Sequence, residues 1–89
     1  MKTNKITINN IKLPKLKGTE EQVAWAEKLR KSFCKQYLKL TQIDEYDKTT
    51  CIYDVRSITS AIFWIENADL IEQEKIFSAA ENVFEESGR

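Results

Sequence analysis

The feature that most constrains the fold is a stripe of apolar residues that recurs every three or four positions. Its members are Val23, Ala26, Leu29, Phe33, Tyr37 and Leu40. This spacing places all of them on one side of an α-helix of about twenty residues, because a helix turns once every 3.6 residues. The chain is therefore expected to fold around one long amphipathic helix.

A capping box predicts where this helix begins. In Thr19-Glu20-Glu21-Gln22, the Thr19 hydroxyl can accept a hydrogen bond from the Gln22 amide while the Gln22 side chain returns to the Thr19 amide. Upstream, residues 3–13 alternate loosely in polarity before a proline. The sequence predicts an extended arm or edge strand over residues 1–18 and a helical domain over residues 19–89, the two folding as one unit.

Two further helices are expected in the second half of the chain. Residues 41–53 lose the helical period, which predicts a polar loop with a short strand at 49–53. Asp54 resembles an N-cap residue, and apolar residues then recur at helical spacing over about 55–67. Asp69 opens what resembles a second capping box, which predicts a third helix.

The third helix is expected to span about residues 70–86. Phe77, Ala80 and Phe84 have the spacing of an inward face, and Gly88 is typical of a helix terminator. The predicted fold is mainly α: a compact three-helix domain with a short N-terminal strand or extended arm.

Composition excludes most catalytic chemistry. The chain has 89 residues and no histidine, so it lacks the usual general base and the commonest zinc ligand. Cys34 and Cys51 lie 17 positions apart, outside any metal or redox motif, and are expected to be free and buried in a reducing cytoplasm. No run of apolar residues approaches the roughly 20 that a membrane span requires. We expect a non-enzymatic protein of the cytoplasm, with no cofactor and no metal.

Charge divides the chain into two halves. Residues 1–40 carry ten basic and three acidic side chains, whereas residues 41–89 carry four basic and eleven acidic ones, so balances of +7 and −7 give zero overall. Two interpretations stay open at this point. The halves fold against each other and cancel locally, or they form two faces for two different contacts.

The basic half suggests a nucleic-acid interface. Lys28, Lys31, Lys35 and Lys39 fall within roughly 80° of one helix face, with Arg30 alongside. Such a ridge can contact a phosphate backbone with little sequence preference, although lysines on a helix commonly form no more than a solvated face. Backbone binding to nucleic acid is therefore the alternative function.

The acidic half suggests a protein interface. The carboxylates proposed for it are Asp44, Glu45, Asp47, Asp54, Glu72, Glu81 and Glu85. The first four are also the only candidates for paired acid–base chemistry, but their spacing matches no calcium loop and is typical of a solvated segment. Trp25 and Trp64 are candidate binding hot spots, with a core position as the other interpretation of each; Trp25 lies at the edge of the apolar stripe. Aromatic surface around Phe63 and Trp64 leaves a homodimer open.

Two segments, residues 16–30 and 61–65, carry a resemblance. The chain resembles small uncharacterised proteins of bacteria, phages and mobile elements that share a Leu-x-Gly-Ser/Thr-x-x-Gln-x-x-Trp-Ala-Glu-x-Ile/Leu-Arg helix opening and a later aromatic-Trp-Ile helix. An arginine commonly follows the second segment in those proteins, whereas Asn67-Ala68 stand here, so its role is not carried over. The resemblance implies a helical fold, a mobile-element setting and no known catalysis. In that setting we expect a protein-binding inhibitor of a bacterial defence effector, of the anti-CRISPR type.

Overall fold

The computed structural model describes residues 6–8 and 11–88, and within them the chain is mainly helical, which confirms the predicted class. Two short strands, β1 (Ile6–Ile8) and β2 (Ile11–Leu13), pair with each other in antiparallel orientation. The helices that follow in this part of the chain are α1 (Glu20–Leu38), α2 (Glu45–Ser57), α3 (Ala61–Glu66), α4 (Ala68–Glu72) and α5 (Ile76–Ser87). The chain thus builds five helices over the described residues where three were expected.

Helix α1 begins as predicted and lies at the centre of the core. The Gln22 amide donates to Thr19 Oγ1 over 3.2 Å, and the Thr19 amide donates to Gln22 Oε1 over 3.0 Å. The stripe from Val23 to Tyr37 is buried, and α1 packs against all four other helices. The long amphipathic helix therefore organises the rest of the domain.

The helix predicted over 55–67 is interrupted at residues 58–60. There the backbone is extended and pairs in parallel with the arm: the Lys17 amide donates to the Thr59 carbonyl over 2.8 Å, and the Ala61 amide donates to the Lys17 carbonyl over 3.0 Å. The arm thus takes over backbone groups that a continuous helix would use within itself. Residues 55–57 belong to α2, and α3 begins afresh at Ala61.

The loop and the strand predicted before this point are wrong. Asp44 caps α2, because its Oδ1 accepts from the Asp47 amide over 2.8 Å. The first turns of α2 are largely exposed, and its buried apolar residues are Cys51, Ile52 and Val55. The later turns pack on α5 and β2. The first half of α2 therefore has no apolar period from which to predict it. Asp54, expected to be an N-cap, lies inside the helix and is buried.

The predicted third helix is two helices, α4 and α5, separated by a Schellman turn. The Lys75 amide donates to the Leu70 carbonyl over 2.8 Å and the Glu74 amide to the Ile71 carbonyl over 3.1 Å, while Glu74 has φ 59°. Glycine usually occupies this left-handed position, so no glycine marks the break in the sequence. Asp69, expected as a cap, lies within α4.

The break also sets the rotation of α5. Its buried residues are Ile76, Ala79, Ala80 and Val83. Phe77 lies outside this face and is 53% exposed, so its inward position was wrongly predicted, and Phe84 is half-buried. Gly88 ends the helix as predicted, with φ 89°.

Aromatic rings form the centre of the core. The Trp64 ring centroid lies 5.7 Å from that of Phe33 and 5.0 Å from that of Phe63, and Phe33 stacks on Tyr37 at 5.9 Å. Trp64 is fully buried, which confirms its core interpretation. Trp64 and Phe63 are both inside the domain, so neither provides a large exposed surface for a second copy.

Side-chain amides hold α4 between its neighbours. Gln36 Nε2 on α1 donates to the Ile71 carbonyl over 2.9 Å. Asn67 Nδ2 donates to the Phe63 carbonyl over 2.8 Å, and Asn67 Oδ1 accepts from Asn82 Nδ2 over 2.7 Å. These bonds join α4 to α1, and the corner between α3 and α4 to α5.

Replacing Glu74 with glycine is expected to stabilise the protein. A left-handed conformation costs a non-glycine residue about 1–2 kcal/mol, which glycine avoids. Part of this stabilisation is offset, because glycine loses more conformational entropy than glutamate when the chain folds. Urea denaturation should show that Glu74→Gly raises the free energy of unfolding by about 0.5–1 kcal/mol. The control Gln73→Gly, at φ −87°, should lower it. A decrease for Glu74→Gly would contradict the role given to this turn.

Candidate interaction surfaces

Ion pairs between the described residues do not neutralise the charges of the two halves. Within residues 6–8 and 11–88, one salt bridge is present, between Lys48 Nζ and Glu45 Oε2 at 3.7 Å, and both residues belong to α2. No pair in this part of the chain joins the basic first half to the acidic second half. Most charged side chains in this part of the chain lie instead on solvent-exposed surfaces.

Four lysines form one of these surfaces, here called the lysine stripe. Lys28, Lys31 and Lys35 lie on α1, Lys39 is its C-cap residue, and all four are exposed. Lys31 is four residues from Lys35, which is four from Lys39, and like charges at this spacing destabilise a helix. The repulsion among these lysines therefore lowers the stability of the helix and does not help it to form.

Arg30 does not belong to the lysine stripe. It is 1% exposed, and its Nη1 donates to the Pro14 carbonyl over 2.8 Å. Among the described residues, its Nη2 has no hydrogen-bond partner. Burial lowers the pKa of the Arg30 guanidinium, since removal from water disfavours the charged form. Arg30 therefore ties the arm to α1 and offers no charge at the surface.

Cys34 lies one turn after Arg30 and is not a reactive thiol. Burial raises the pKa of its thiol to about 12, although the nearby Arg30 charge acts in the opposite direction. Cys34 and Cys51 are both buried and form no disulfide with each other, as the sequence predicts. Because the thiolate is the nucleophilic form, Cys34 behaves as a small apolar core residue.

The Cys34 thiol should make stability decrease at alkaline pH. Its ordinary pKa is 9.0 and its folded pKa is about 12. Between these values the folded state holds a proton that the unfolded state releases, so stability is full below pH 9 and falls as pH rises. The decrease should reach at most about 1.4 kcal/mol per pH unit. Urea denaturation between pH 8 and 10.5 measures it, and Cys34→Ala should lose this part of the slope. Equal slopes in both proteins would contradict the assignment.

A second surface is a groove along one flank of α5, here called the α5 groove. Its volume is about 370 Å³, and its lining residues are Tyr37, Ile43, Phe77, Ser78, Ala80, Glu81 and Phe84. Phe77, Glu81 and Phe84 lie at positions i, i+4 and i+7, so they share this flank. The groove combines apolar walls with a single charged lining residue, Glu81.

Six of the seven predicted acidic residues fall into two groups. On α5, Glu81 lines the groove and Glu85 lies exposed one turn further along, while Glu72 is exposed at the end of α4. The second group, Asp44, Glu45 and Asp47, is exposed at the start of α2.

The α2 group has local structural roles. Asp44 accepts the Asp47 amide, and Glu45 pairs with Lys48. Both acidic residues of the first turn, Glu45 and Asp47, also suit the positive end of the helix dipole. Asp54 is buried and so is not part of an exposed acidic face. Of the predicted set, Glu81 is the residue placed directly against apolar surface.

Two substitutions of Asp44 separate capping from charge. Asp44→Ala is expected to lower the free energy of unfolding by about 1 kcal/mol, because the Asp47 amide loses its acceptor. Asp44→Asn keeps a capping oxygen and should stay within a few tenths of a kcal/mol of the parent. Urea denaturation gives both values. Equal losses in the two variants would show that charge, not the cap, is the stabilising element.

Several exposed aromatic residues were missed by the sequence analysis. Tyr46 on α2 is 78% exposed and Tyr53 is 51% exposed. They lie seven residues apart and share a helix side, a signal that becomes visible only once α2 is recognised. Trp25, an expected hot spot, is 47% exposed on α1.

Most residues that carry the family resemblance have structural positions. Leu16 is buried, and a Cβ added at Gly18 would lie 3.1 Å from Ala61 Cβ, so glycine permits close packing there. Arg30 binds the arm. Trp25 differs because about half of its large side chain is left in water.

Other kinds of site find no support in the described part of the chain. No group of three or more histidine, cysteine, aspartate or glutamate side chains is placed to hold a metal ion there. None of its helices has the length and apolar character needed to cross a membrane. Comparison of the chain with protein-family models, with curated proteins and with solved structures finds no match.

Proposed function

We propose that this chain is a non-catalytic protein-binding module that uses the α5 groove as its contact surface. The observation that carries the proposal is the position of Phe77, which is 53% exposed beside Glu81 in an apolar groove. Exposed aromatic rings in a concave surface are typical of binding hot spots.

Packing energetics support a contact at this position. Fully burying a phenylalanine side chain stabilises a protein by about 1.5–3 kcal/mol. Phe77 is only about half buried in the folded chain, so folding gains only about half of this free energy. A partner that covers Phe77 would gain the remainder. Phe84, seven residues later on the same flank, adds a second apolar contact. Anchors at i and i+7 suit a partner helix or an extended apolar segment.

Electrostatics define the chemistry of the partner. Glu81 lies between the two phenylalanines, and Glu85 continues the negative charge along α5. A lysine or arginine beside an apolar anchor on the partner would pair with Glu81 at the edge of the groove. The proposed partner is therefore a protein with a basic surface that carries an apolar side chain.

A bacterial defence effector is the finer form of this proposal. Support comes from the resemblance to mobile-element proteins, whose setting includes inhibitors of host defence. Effectors that handle nucleic acid carry basic surfaces, and an acidic module with an apolar anchor is suited to occupy such a surface.

The proposal predicts which substitutions abolish partner capture. Tagged protein is incubated with nuclease-treated bacterial lysate, captured proteins are identified by mass spectrometry, and the purified partner is titrated with each variant. Phe77→Ala and Glu81→Lys are each expected to weaken binding by about 30-fold or more, the loss that defines a hot spot of 2 kcal/mol.

A matched variant controls for the loss of any exposed aromatic ring. Tyr53 has nearly the same exposure as Phe77, at 51%, and lies on α2, so Tyr53→Ala should bind the partner as the parent does. Unchanged affinity in Phe77→Ala and Glu81→Lys would refute the groove as the contact surface.

A further inference from the structure

The side of α1 that faces solvent combines positive charge with an exposed aromatic ring. The lysine stripe extends from Lys28 to Lys39, a distance of about 16 Å along the helix. Trp25 precedes Lys28 by three residues, which makes the two side chains neighbours on the helix surface. No acidic residue occurs between positions 28 and 43 of the sequence. Two carboxylates border the stripe, because Glu27 lies four residues before Lys31 and Glu74 lines a pocket together with Lys39.

Folding alone does not account for this combination. The negative end of the helix dipole favours cations in the last turn, which explains Lys35 and Lys39. Glu27 lies four residues before Lys31, a spacing that favours this lysine, whereas neither effect applies to Lys28. Like charges four residues apart oppose helix formation. Trp25 contributes only part of its surface to packing, since it is 47% exposed.

We propose that the lysine stripe and Trp25 together bind single-stranded nucleic acid. The lysine ammonium groups would contact successive phosphates, and the Trp25 indole would stack on one unpaired base. A row of cations with an adjacent aromatic platform is the arrangement that binds single strands with little sequence preference. In a duplex the bases are paired and stacked inside the helix, so none could stack on Trp25, and only the lysines would contact it. This surface is separate from the α5 groove, so the inference does not depend on the proposed protein contact.

The number of phosphate contacts can be obtained from the salt dependence of the binding constant. Fluorescence anisotropy of labelled 12-nucleotide oligothymidine, measured from 50 to 200 mM salt, should give a slope of log K against log salt of about −2.8 for four contacts on a single strand. Lys31→Gln/Lys35→Gln should reduce the slope to about −1.4. The control Lys12→Gln/Arg56→Gln removes two exposed charges from β2 and α2 and should leave the slope unchanged.

Trp25 has a separate signature. Trp25→Ala should weaken oligothymidine binding by roughly 5- to 150-fold, the loss expected for one stacked base, while the salt slope stays the same because stacking releases no counterions. Oligothymidine should also quench tryptophan fluorescence in the parent and not in Trp25→Ala, since Trp64 is buried. Phe77→Ala should bind as the parent does.

Three results would overturn the inference. One is equal affinity for a 12-base-pair duplex. Another is equal affinity for polyglutamate of similar length, which would assign the stripe to acidic proteins. The third is a Trp25→Ala variant that binds as tightly as the parent. Circular dichroism of each variant establishes that these exposed substitutions leave the fold intact.

Discussion

The short arm between Pro14 and Lys17 is the constraint on which the arrangement of the helices depends. The Pro14 carbonyl accepts from the buried guanidinium of Arg30 on α1, and Lys17 exchanges two backbone hydrogen bonds with Thr59 and Ala61. The arm thereby joins α1 to the connection between α2 and α3. Because residues 58–60 are held extended, α3 starts in a new direction and places Trp64 against Phe33 in the core. Without this junction, residues 55–67 have the pattern of one continuous helix.

The same junction determines which positive charges reach the surface. Arg30 occurs among the lysines in the sequence, but its charge is buried and bound to the arm. Burying a guanidinium is unfavourable unless hydrogen bonds replace water, so the Pro14 carbonyl is a necessary partner. The lysines on the opposite side of α1 have no such partner and stay in solvent. One helix therefore uses a cation to build the fold on one side and presents cations on the other.

The acidic half of the chain is arranged differently, because its charges have unequal roles. Those at the start of α2 satisfy a helix terminus and a neighbouring lysine. On α5, Glu81 lies in the groove with the exposed ring of Phe77 and the half-buried ring of Phe84, where a carboxylate and an apolar surface can act together on a partner. The two proposals assign different ligands to the two surfaces: a basic protein to the α5 groove and a single strand to the lysine stripe. Such a division agrees with a chain that is neutral overall and separated in charge.

The amino-acid sequence by itself determined α1, its capping box, the buried cysteines and the mainly helical class, since these follow from local hydrogen bonds and from the period of apolar residues. It also placed the lysine stripe, because four positions on one regular helix fix its geometry. Only the tertiary structure decided the rest. The first turns of α2 bury too little to leave an apolar pattern, and the break before α5 depends on Glu74 in a conformation that glycine usually adopts. That break sets the rotation of α5, which turns Phe77 outward and forms the groove with Tyr37 and Ile43. Contacts between distant segments have no local signal, so the candidate protein contact could not be located before the helices were packed.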